Sequence, residues 1–85
     1  MEEKEVGKIT HYFGKIGVCV IQIEKEAVKK GDKIHIKGAT TDFEQMVDSM
    51  QINHKDVPEA KKGDGIGLRV KEPVREGDVV YKVLM

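Results

Sequence analysis

The sequence has no tryptophan, one cysteine, one serine, two prolines and no net charge. Each scarcity excludes something. A single cysteine, Cys19, rules out an internal disulfide and a cysteine metal cluster. The single serine, Ser49, has no histidine near it in sequence and sits in no nucleophile elbow. Fifteen basic residues balance fifteen acidic ones, which argues against a protein that coats nucleic acid by bulk attraction, although a local basic face remains open. The longest strictly apolar run, Val18-Cys19-Val20-Ile21, is far short of the ~20 residues that span a bilayer. The opening Met1-Glu2-Glu3-Lys4-Glu5 is acidic and has no apolar leader. A reduced, cytoplasmic, soluble protein with no membrane partner is expected. Its 85 residues suit one domain over 1–85, with an ordered core about 5–84.

Catalytic and cofactor signatures are also missing. Gly7-Lys8 and Gly14-Lys15 are each followed by isoleucine, so no phosphate loop with a magnesium-binding hydroxyl exists and no bound nucleotide is expected. His11, His35 and His54 are scattered and show no metal-ligand spacing. No nucleophile–base pair can be named, so the chain reads as non-enzymatic, with no cofactor and no metal. Cys19, in an apolar stretch, reads as a small core residue.

What is present is a turn device used three times. Val28-Lys29-Lys30-Gly31-Asp32, Ala60-Lys61-Lys62-Gly63-Asp64 and Val74-Arg75-Glu76-Gly77-Asp78 each place an apolar residue, two polar residues and Gly-Asp before a strand-like stretch. Glycine supplies a positive φ and aspartate caps the turn. The stretches between turns alternate as half-buried strands do, as in Lys33-Ile34-His35-Ile36-Lys37 and Val79-Val80-Tyr81-Lys82-Val83. Val6–Phe13, Val18–Ile23, Lys33–Lys37, Ile66–Lys71 and Val79–Val83 are expected as strands. A sixth strand falls within Thr41–Ile52, its phase slipping near Ser49 as at a bulge. Glu59–Lys62 is expected to form one short helical turn after Pro58. Six short strands with polar turns and no long helix predict an all-β fold, a six-stranded antiparallel barrel whose closure removes the edge strands.

The order of these blocks, from Val28–Gly38 through Val47–Gln51 and Ala60–Val70 to Val74–Val80, resembles the second domain of translational GTPases of the elongation factor Tu type. The likeness runs from about Val6 to Val83. Gly14–Val18 and Ile36–Phe43 carry a closer likeness to stand-alone elongation-factor-like proteins, and a similar domain ends some collagenase-like peptidases. The resemblance implies a six-stranded antiparallel Greek-key β-barrel of the translation-factor domain 2 type. It also implies a nucleic-acid-binding rim at Tyr12, Gly14, Lys15 and Val18 on the first hairpin, Gln51 and His54 after the fourth strand, and Arg69 on the fifth. Gln51 stands where that family often has a carboxylate, His54 where it often has arginine, and Arg69 where an apolar residue is usual. No GTPase domain accompanies the blocks. Two readings follow. The first is a non-catalytic translation-associated module binding tRNA or ribosomal RNA through this rim. The second is an accessory barrel that docks to a separate translation GTPase or to a peptidase-like enzyme.

Overall fold

The computed structural model describes residues Glu2 to Leu84, and among them there is no helix. Ten strands form: β1 (Glu2–Phe13), β2 (Val18–Ile23), β3 (Val28–Lys29), β4 (Lys33–Lys37), β5 (Asp42–Met46), β6 (Gln51–Ile52), β7 (Lys55–Asp56), β8 (Glu59–Ala60), β9 (Gly65–Arg69) and β10 (Val79–Leu84). Eight of them make one sheet in the order β5-β4-β10-β1-β2-β9-β6-β7, and β3 and β8 make a separate two-stranded ribbon. The pairings are antiparallel.

Four expectations need correction. The count is ten rather than six, because four two-residue strands appear: β3 and β7 where turns and irregular chain were expected, β6 at the end of the stretch expected to be one strand, and β8 where a helical turn was expected. The Thr41–Ile52 stretch does not run through as one bulged strand. Val47–Met50 leaves the ladder between β5 and β6, where the Val47 amide and carbonyl are taken by Asp32 and Gly31 instead. Nor does the sheet close into a ring of paired strands, since β5 and β7 remain its two ends. The helical turn expected at Glu59–Lys62 is also absent. Glu59 and Ala60 pair with Lys29 and Val28, a partnership between residues far apart in sequence that no local pattern could announce.

The three Gly-Asp turns share one geometry. The glycines at 31, 63 and 77 take φ of 97°, 97° and 93°. The aspartate amide donates to the carbonyl three residues back, at 3.0 Å for Asp32, 2.9 Å for Asp64 and 3.1 Å for Asp78. Its carboxylate then accepts from that same residue's amide, at 2.8 Å from Lys29, 2.9 Å from Lys61 and 2.9 Å from Arg75. Each turn is thereby locked before it meets its neighbour, which is what an Asx-type cap achieves. Each also docks in the same way. The glycine amide donates to, and the aspartate carbonyl accepts from, a single buried residue: Val47, Ile23 and Ile9 respectively, all six bonds at 2.8 Å.

The core lies on the inner face of the sheet. Val6, Ile9, Ile21, Ile23, Ile34, Ile36, Val47, Ile66 and Val80 are buried, with Met50, Leu68 and Ala60 filling between them. The β-branched residues suit the pleated surface, and the period-2 alternation puts the intervening polar residues outside. The ladder register of β1 shifts twice, between Glu5 and Gly7 and between Ile9 and His11. These irregularities let one strand serve β10 along its first half and β2 along its second while the sheet curls. At the first shift the Val6 carbonyl accepts from both Glu24 and Lys25 at 2.9 Å.

Candidate functional site

Where the curled sheet nearly meets itself, a side chain completes the pairing. Gln45 of β5 donates from Nε2 to the Arg69 carbonyl at 2.9 Å and accepts at Oε1 from the Lys71 amide at 3.0 Å. Its amide group thus presents one donor and one acceptor to a neighbouring strand end, as a backbone peptide would. A groove of about 1100 Å³ lies along this seam, lined by residues that include Phe43, Met46, Ser49, Arg69, Val70 and Lys71. Met46 is half exposed there.

At the β4 side of the same groove His35 is surrounded by carboxylates. Its Nδ1 lies 2.7 Å from Glu3 Oε2 and its Nε2 lies 2.5 Å from Asp42 Oδ1. Glu44, its register partner on β5, stands beside it and is held by Lys33 Nζ at 3.0 Å. The Tyr81 ring flanks the imidazole at 6.1 Å between centroids. The Asp42 hydrogen bond, followed by Glu3, raises the His35 pKa above its usual value against the opposing effect of burial, and the His35 bond lowers that of Asp42.

The rim residues expected from the resemblance occupy three places. Val18 and Arg69 are register partners, and Gln51 pairs with Gly67 two residues before Arg69. The alternation with buried Cys19 and Leu68 puts Val18 and Arg69 on the outer face of β2 and β9, where exposed Gln51 also lies. Gln51 Nε2 donates to Asp56 Oδ1 at 3.2 Å. Gly14 and Lys15 are exposed in the β1–β2 turn at the end of that face, beside Phe13 and Ile16, which are 51% and 61% exposed. Tyr12 turns the other way. It is level with Cys19 and packs against the core, its ring over Gly14. His54 caps the β6–β7 hairpin with φ of 65°, next to Asn53 at 52°. Two consecutive positive φ values are the signature of the tight hairpin turn that Asn favours at its first position.

Cys19 is fully enclosed, and burial pushes its thiol up to about 12. It is a core residue and not a nucleophile. The His35 cluster was not visible in the sequence. Alternation puts His35, Asp42 and Glu44 on the solvent side of β4 and β5, but nothing local brings Glu3 to them from β1.

The comparisons with known proteins fall on both sides of the resemblance, the peptidase-type matches covering more of the chain than the elongation-factor ones. No protein-family profile matches the chain. An uncharacterized protease of Methanocaldococcus jannaschii is 46% identical over 78 residues, covering 91% of this chain and 19% of that protein. A collagenase of Porphyromonas gingivalis is 38% identical over 78 residues, covering 91% of this chain and 22% of that protein. Elongation factor 1-alpha of Methanothrix thermoacetophila is 41% identical over 66 residues, covering 73% of this chain and 15% of that protein. The chain therefore spans about a fifth of the length of these two peptidase-type relatives. Among solved structures, the C-terminal domain of a putative U32 peptidase of Geobacillus thermoleovorans superposes with a TM-score of 0.88. That match covers 95% of this chain and 93% of that domain at 17% identity, so it establishes a shared fold. These relatives do not support the closer likeness to stand-alone elongation-factor-like proteins. This chain shares its fold with that C-terminal domain. No helix among the described residues is long and apolar enough to cross a membrane.

Proposed function

We propose that this chain is a non-catalytic accessory module that works with a peptidase body of the collagenase type, with the seam groove as its contact surface for polypeptide. The observation that supports it most is the combination of 46% and 38% identity to segments of two peptidase-type proteins with a near-complete superposition on a peptidase C-terminal domain. The groove adds to this. It is open, it carries an exposed methionine on an edge strand, and its cationic and anionic side chains are mixed rather than of one sign. A surface of that kind suits a polypeptide better than a phosphate backbone.

The test is a graft. The matching 78-residue segment of the P. gingivalis collagenase is deleted, then replaced by this chain, and collagen degradation is measured for all three forms. Loss of activity on deletion and its return on grafting are expected. A deletion without effect, or a folded graft that restores nothing, overturns the proposal. The elongation factor 1-alpha matches supply the competing reading, in which the outer-face residues Val18, Gln51 and Arg69, with Gly14, Lys15, Tyr12 and His54 around them, hold RNA. Salt-sensitive binding of tRNA by the isolated chain, lost on Arg69→Ala, would favour that reading instead.

A further inference from the structure

We propose that Glu3, His35 and Glu44 form a binding site for one divalent transition-metal ion, of which Zn²⁺ is the representative. The proposal does not depend on the peptidase reading. One ligand atom from each of these residues lies within 4.8 Å of the others, and the three come from β1, β4 and β5 of one sheet. The frame that holds them is therefore hydrogen-bonded backbone rather than a loop. His35 and Glu44 are register partners, so their separation is set by the ladder itself.

The arrangement around the imidazole is what points to a cation. Asp42 takes one ring nitrogen, Nε2, at 2.5 Å. With a carboxylate at each ring nitrogen, Nε2–H donates to Asp42 and Nδ1–H donates to Glu3 when the ring carries both protons. A divalent ion that displaces the Nδ1 proton meets that nitrogen's lone pair, the Glu3 carboxylate at 2.7 Å from it, and Glu44 alongside. The proton serves Glu3 alone, whereas the ion can serve Glu3, Nδ1 and Glu44 together. Asp42 then acts as the outer carboxylate that fixes the tautomer and ring orientation of a metal-bound histidine. One imidazole nitrogen with carboxylate oxygens suits Zn²⁺, Co²⁺ or Mn²⁺ rather than Mg²⁺, which keeps its water shell and takes oxygen ligands. The His35 side chain is 14% exposed, and Glu3 and Glu44 are 32% and 35% exposed, so the site is sheltered yet reachable from the groove that His35 and Glu44 line. Lys33, paired with Glu44, is the one cationic side chain in contact with these three residues among the described ion pairs, and an incoming ion must compete with it.

The experiment is titration of the chelator-treated full chain with ZnCl₂, followed by calorimetry and by the NMR signals of the His35 ring. Saturable binding of one ion per chain with a shift confined to His35 among the three histidines is expected. Asp42→Asn leaves all three ligand atoms in place and weakens binding about 10- to 100-fold. Glu44→Gln and His35→Ala weaken it further, while His11→Ala and His54→Ala leave it unchanged. MgCl₂ at the same concentration produces no His35 shift. Absence of binding at ~1 mM ZnCl₂ overturns the proposal. So does binding that moves His11 or His54 instead, or binding of equal strength in Glu44→Gln and Asp42→Asn. The wild-type NMR readout decides the matter even if His35→Ala fails to fold.

Discussion

Replacing Gly7 by alanine should cost this protein a large share of its stability, whereas the same change at Gly65 should be close to neutral. Both glycines border Gln22 of β2, which Lys8 pairs from one side and Gly65 from the other. A methyl group on Gly7 would sit 1.8 Å from the Gln22 carbonyl oxygen, 2.9 Å from its carbon and 3.2 Å from the Glu24 nitrogen, all backbone atoms. Relief requires β1 and β2 to part by more than an ångström, at the place where Val6 accepts from Glu24 and Lys25. Overpacking of roughly 1–3 kcal/mol, plus two weakened hydrogen bonds at about 0.5–1.5 kcal/mol each, gives a loss of about 2–6 kcal/mol. A domain of this size has roughly 4–13 kcal/mol in total. At roughly 4–8 °C per kcal/mol, the melting temperature should fall by about 8–48 °C. At Gly65 the added carbon would meet only the Gln22 Oε1 atom, at 3.5 Å, the end of a flexible side chain. Its φ is not positive, so a change within about 1 kcal/mol of neutral is expected. Urea unfolding followed by circular dichroism and tyrosine fluorescence reads both. A Gly7→Ala protein within about 1 kcal/mol of wild type, or a Gly65→Ala protein as damaged as Gly7→Ala, would refute the reasoning.

Three further outcomes are expected. Gly38→Ala brings a carbon 2.0 Å from Asp78 Oδ1 and displaces that buried carboxylate from the Arg75 amide, costing about 1–3 kcal/mol. Its effect should be less than additive with Asp78→Ala in a double-mutant cycle. Gln45→Leu removes both the donor to the Arg69 carbonyl and the acceptor of the Lys71 amide, so hydrogen exchange at Lys71 should quicken while exchange at Ile21 and Ile66 stays slow. Equal exchange rates at Lys71 in the two proteins would count against the seam. Cys19, with its thiol pushed up to about 12, should react with a disulfide reagent at pH 8 only as fast as the protein opens. Because the folded state keeps this proton where the unfolded state loses it, the Cys19 contribution to stability declines as pH rises from 9.0 towards 12. A Cys19→Ala protein should lack that component of the alkaline decline in urea midpoint.

The parts of the fold that could be read from the sequence are those whose chemistry is local. Gly31-Asp32, Gly63-Asp64 and Gly77-Asp78 carry both the positive φ and the cap within four residues, while a nearly unbroken apolar run identified β2 and alternation identified β4 to the residue. The Val28–Ala60 ribbon and the departure of Val47–Met50 from the ladder depend on partners distant in sequence, so they left no periodic trace. The same holds for the candidate sites. Glu3 reaches His35 only because β10 lies between β1 and β4, and Gln45 reaches Arg69 only because the sheet curls. Of the resemblance, the likeness to a domain that ends collagenase-like peptidases is supported by the relatives, and the closer likeness to stand-alone elongation-factor-like proteins is not. Its rim residues, by contrast, are divided between the outer face and the core side, with Tyr12 turned away from Val18 and Arg69.

The Gln45 bridge makes the sheet a belt with a single buckle. Anywhere else, widening the molecule means tearing a backbone ladder, with many bonds failing together. At the buckle, only two hydrogen bonds from one rotatable side chain need to let go, at about 1–3 kcal/mol. The groove lies along that line. Its width is therefore adjustable at low cost. A guest too bulky for the resting groove can release Gln45 and find, in the freed Arg69 carbonyl and Lys71 amide, one acceptor and one donor waiting for its own backbone.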